Sequence, residues 1–161
     1  MDRGGQAVVF DFALAFMLFV IAWVFVSTQT DAKIADAQNT GNIESMRIRA
    51  EYIANSLVEN AGSPPDWESR SAADVNSIGL AFGGRELDEE KLAAFANFSG
   101  YDDLRSKLGT EGLDFYFEFH GAQDFTAGLL PAGDATKVSI KRIVAYRGEL
   151  GVATLTLYRL E

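Results

Sequence analysis

Apolar residues dominate positions 7–26, and between 12 and 26 every residue is Leu, Ile, Val, Phe, Ala, Met or Trp. About twenty such residues make a helix about 30 Å long, the thickness of the hydrocarbon layer of a bilayer. Asp11 is the exception, since an ionised carboxylate within such a run costs at least a few kcal/mol unless it is paired. Beyond Val26 the pattern becomes one-sided. Ile43, Met46, Ala50, Ile53, Ala54, Leu57 and Ala61 recur at threes and fours, while Glu44, Arg47, Arg49, Glu51 and Glu59 fall mostly elsewhere on the wheel. No proline occurs between 27 and 61. The spacing predicts one helix over 7–61, about 80 Å long, apolar all round in its first half and amphipathic in its second. Its weak point is Asn39-Thr40-Gly41-Asn42, a glycine among poor helix formers.

Gly62-Ser63-Pro64-Pro65 stops that helix. A loop over 66–84 follows, with Trp67, Ile78, Leu80 and Phe82 expected to pin it to the domain. For Trp67, packing is favoured over a binding role. Asp88 is placed as N-cap of a short helix reaching Phe98, with Glu89 and Glu90 at its positive end. Ser99-Gly100-Tyr101-Asp102 reads as a capping box for a second helix, closed by Gly109. The last third alternates: Leu113, Phe115, Phe117 and Phe119 form one face of a strand, Val138, Ile140, Val144 and Tyr146 another with Arg142 intruding, and 152–160 a third. Residues 147–151 turn the last two into a hairpin. The spacing predicts a long loop over 121–136, of the kind that tends to be functional or mobile. The expected fold class is α+β, with a long N-terminal helix whose outer half packs on a small antiparallel sheet.

The small residues around the apolar run precede it: Arg3-Gly4-Gly5-Gln6-Ala7 abuts the helix directly. An ordinary cleaved secretory signal has a shorter apolar core with small residues after it. A plain single-pass anchor leaves Asp11 unexplained. The arrangement instead resembles the leader of type IV pilins, and more narrowly the archaeal class III signal peptide. The resemblance implies a leader of residues 1–5, cut by a prepilin peptidase between Gly5 and Gln6. It also implies a membrane or filament-core helix over 6–26 and an extracellular pilin-like domain over 27–161. Asp11 takes the role of the family's acidic residue near the mature terminus. It stands sixth from Gln6, where the commoner pattern has a Glu at the fifth position. Blocks at 62–68, 78–81, 87–92 and 101–109 are similar to stretches of archaeal pilin-like proteins, and with the leader and the long helix the resemblance touches over half the chain. It implies a structural subunit of a surface filament with an adhesive or related role, whose partners are copies of itself or other pilins. A minor or pseudopilin-like component of a secretion machine is a variant of this. A membrane-anchored extracellular binding domain, with 121–136 as its contact, is the reading from a different class.

Charge and chemistry narrow the field. The net charge of −9 argues against a nucleic-acid partner, which requires a basic face. There is no cysteine, hence no disulfide framework or thiolate metal site. Arg3 ahead of the apolar run favours a cytoplasmic N-terminus, with the bulk of the chain outside the membrane. The motifs of nucleotide binding, serine hydrolases and zinc peptidases are absent, and the lone His120 at a strand end reads as a solvated side chain. The acidic pairs Asp102-Asp103 and Glu89-Glu90 sit in helix first turns, where the dipole accounts for them. No enzyme activity, cofactor or metal is expected. Asn97-Phe98-Ser99 is a candidate N-glycosylation sequon.

Overall fold

The computed structural model describes the backbone over residues 3–159 and the side chains over 12–27 and 41–159. The chain divides into two compact units, Met1–Asn42 and Ile43–Glu161. Helix α1 (Arg3–Glu59) supplies all of the described first unit and the opening of the second. It is continuous through Asn39-Thr40-Gly41-Asn42, so the expected weak turn does not break it. In the first unit the side chains over 12–26 are apolar and exposed on every side. Phe12 stacks on Phe16 and Phe19 tilts against Trp23, one helical turn apart in each case, with ring centroids 6.4 Å apart. Among the described residues no helix is long and apolar enough to cross a membrane. The first positions of the expected 6–26 span lie outside the described side chains.

The second unit is an α+β domain. After α1 come β1 (Gly62–Ser63), 3-10 turns at Trp67–Ser69 and Ala72–Asp74, β2 (Ser77–Ile78), β3 (Ala81–Gly83) and β4 (Glu86–Leu87). Helices α2 (Glu89–Ala96) and α3 (Tyr101–Leu108) follow, then β5 (Asp114–His120), β6 (Phe125–Gly128), β7 (Thr136–Tyr146) and β8 (Glu149–Arg159). Strands β1 and β2 pair by themselves, and the other six form one sheet in the order β3-β4-β7-β8-β5-β6. The helical positions Met46, Ala50, Ile53, Ala54 and Leu57 share a core with Phe115, Phe117, Phe119, Leu155 and Leu157 of the sheet and Leu92 and Phe95 of α2. The three- and four-residue spacing of the first set and the period-two spacing of the second therefore meet as predicted, helix on sheet.

Several expectations are corrected. The sheet is mixed and six-stranded, because β4 runs parallel to β7 through the Glu86–Ala145 pairing. The supposed loop over 66–84 supplies β3, which completes that edge, and its Phe82 is 77% exposed instead of packed. The supposed loop over 121–136 contains β6, an edge strand antiparallel to β5; four residues are too few to display an alternation. The capping box does not form: Gly100, at φ +96°, is the N-cap of α3 and no side chain caps it. The β7–β8 turn is only Arg147-Gly148, both at positive φ, the requirement of a two-residue hairpin that follows the twist of its strands.

Candidate functional site

The sequence-derived site residues at the N-terminus, Gly5, Gln6 and Asp11, lie within the helical backbone of α1, and their side chains are outside the described residues. What is described of that region is the apolar surface over 12–26.

In the domain, each candidate has a local account. Asn97 is the C-cap of α2, exposed, and its side-chain amide donates to the Ala93 carbonyl at 2.8 Å. His120 is exposed at the end of β5, with Nε2 3.7 Å from Glu118 and Nδ1 3.3 Å from Asp124. Among the described residues no cluster of three His, Cys, Asp or Glu side chains could hold a metal ion. Glu89 and Glu90 occupy the first turn of α2, capped by the Asp88 carboxylate, which accepts from the Glu90 and Lys91 amides. Glu89 pairs with Arg147 of the hairpin turn. Asp102 and Asp103 open α3. Trp67 is fully buried and its indole donates to the Gly79 carbonyl at 2.8 Å, which makes it a fastener of its loop. Within 121–136, the Tyr158 hydroxyl donates to the Leu129 carbonyl at 2.9 Å and holds the chain as it leaves β6.

Two polar devices were not singled out from the sequence. Lys91, buried on α2, donates to the carbonyls of Ala61 and Pro65, both at 2.6 Å, with the Glu68 carboxylate 4.0 Å away. The ammonium thus satisfies carbonyls where α1 ends and the chain reverses. The signal was present: Lys91 stands one turn before Phe95, on the apolar stripe of α2. The second device braces α3 against β5. The Tyr101 hydroxyl donates to Asp114 at 3.0 Å and accepts from the Phe115 amide at 3.2 Å, while the Arg105 guanidinium lies 3.6 Å from Asp114 and donates to the Leu113 carbonyl. Burial, helped by the bond to Asp114, pushes the Tyr101 phenol up to about 12. Burial likewise raises Tyr158 nearby.

Arg142, the intruder in a strand pattern, faces the core side of β7 and donates to the Asn55 side chain of α1 at 2.7 Å. It is a tie between sheet and helix. Among the described residues these polar side chains act as structural ties, and several large apolar side chains of the domain, Ile48, Tyr52, Ile143 and Leu150 among them, are exposed. No protein-family model, curated protein or solved structure matches the chain.

Proposed function

We propose that this chain is a structural subunit of a surface filament, assembled in the manner of the archaeal type IV pilins that its leader resembles. The observation that carries the reading is the change of character along α1. Its described residues over 12–26 are apolar and exposed all round, while from Met46 onward one face is sealed into the core of an α+β domain. A helix that is apolar on every side requires an apolar environment, either lipid or other helices of its kind. A subunit stored in a membrane and then packed helix against helix in a filament would meet both in turn. Asp11 would pair across subunits with the α-amino group released at Gln6. The domains would form the outer surface, carrying adhesion or a related role.

Intact-mass and N-terminal analysis of the protein from native membranes tests this. Removal of residues 1–5 is expected, with Gln6 as the new terminus. A chain that keeps all five would instead be a single-pass anchor for a binding domain.

A further inference from the structure

Two exposed apolar patches lie on opposite layers of the domain. On α1 the face turned away from the core carries Ile48 and Tyr52, 62% and 75% exposed and one turn apart, with Glu44 exposed one turn earlier. On the sheet, Ile143 pairs with Val152 and Ala145 with Leu150, and Ile143 and Leu150 are 66% and 79% exposed. Lys141 precedes Ile143 on the same face and is exposed. The side of β7 that faces α1 is the other one, marked by buried Val144 and Tyr146 and by the Arg142 bond to Asn55. Among the described residues neither Glu44 nor Lys141 has an ion-pair partner.

Single exposed apolar residues are ordinary; here the order of charge and spacing matches between the two patches. Glu44, Ile48 and Tyr52 follow one another in steps of about 6 Å along the helix. Lys141, Ile143 and the Ala145–Leu150 pair follow in steps of about 6.8 Å along the strand. We infer that the partner of each patch is the other patch on a second copy of this chain. Laid parallel to β7, the α1 ridge of one copy brings Glu44 to Lys141, Ile48 to Ile143 and Tyr52 to Leu150. The two surfaces differ and lie on opposite layers, so the contact is head-to-tail and leaves a free patch at each end to repeat it. This rests on the filament reading for its purpose, adding a contact between domains to the one between apolar helices.

The chain has no cysteine, which allows a clean test in the full-length protein in native membranes. Ile48→Cys and Ile143→Cys are made separately, both at exposed positions. On oxidation the co-expressed pair should give a mixed disulfide dimer, each variant alone should stay monomeric, and the double variant should give a ladder. Glu44→Lys or Lys141→Glu alone should lower the mixed-dimer yield about threefold, the scale of an exposed ion pair, and the two together should restore it. Absence of the mixed dimer, equal dimers from one variant alone, or a charge swap that restores nothing overturns the contact. The N-terminal mass and electron microscopy of the same preparations read the filament proposal separately. Cut, filament-forming protein without the mixed dimer removes the contact and keeps the filament. Uncut protein that still gives the mixed dimer does the reverse.

Discussion

At the scale of single residues, the informative groups are polar ones in apolar company. Asp11 is the first. In the proposed filament, a neighbouring subunit shifted along its axis would bring the amine of its Gln6 level with Asp11, whereas within one helix the two are about 7.5 Å apart in rise. Losing one member of a buried pair strands the other, at about 3–5 kcal/mol. Under the filament proposal Asp11→Ala should insert and be cut, yet give few or no filaments by electron microscopy; assembly equal to the parent would overturn the intersubunit role proposed for Asp11. Tyr101 makes a prediction in solution. Its phenol is held neutral in the fold, with a pKa of about 12 against an ordinary 10.0. The raised folded value means that its contribution to stability is fully present below about pH 10 and is lost as pH rises from there through about 12. Urea midpoints measured at about pH 8 and about pH 11 should fall further in the parent than in Tyr101→Phe. An equal fall would show that the phenol contributes nothing to alkaline sensitivity.

At the scale of elements, the end of α1 is where backbone polarity must be resolved. Gly62 and Gly79 allow the chain to fold back there: a Cβ on Gly79 would lie 2.1 Å from the Asn60 carbonyl oxygen, closer than any side chain can sit. Lys91 then supplies the donors that the Ala61 and Pro65 carbonyls lack. Lys91→Ala leaves both without their ammonium and Glu68 without its counter-charge, and should cost about 2–4 kcal/mol in chemical denaturation. Lys141→Ala, exposed on β7, should stay within about 0.5 kcal/mol of the parent monomer. If Lys91→Ala is equally mild, the clamp is only decorative.

At the scale of the whole molecule, the division into units makes its own prediction. Every residue of the core cluster lies in the unit that begins at Ile43, the first being Met46. A fragment starting at Thr28 should therefore be soluble and unfold cooperatively, with the circular dichroism of a mixed α+β domain. A disordered spectrum would mean that the domain depends on the apolar half of α1.

The elements built on long periodic runs were legible without coordinates, because periodicity records which side of an element meets the core. Thus Met46 to Leu57 declared a helical face and Phe115 to Phe119 a strand face, and Asp88 and Gly109 announced helix ends through the backbone groups they serve. The small and basic residues ahead of the apolar run, and Asp11 near its start, can likewise be read in one dimension. The short strands were decided elsewhere. β3, β4 and β6 hold two to four residues, too few for a period, and exist because neighbouring strands offer them unpaired backbone groups. The fate of Phe82, the purpose of Arg142 and the burial of Lys91 likewise depended on what packs beside each of them. The match between the Glu44–Tyr52 ridge and the Lys141–Leu150 face became visible only once the sheet had set two strands side by side and turned the helix's other face away, because adjacency between distant residues is a property of packing and not of order along the chain.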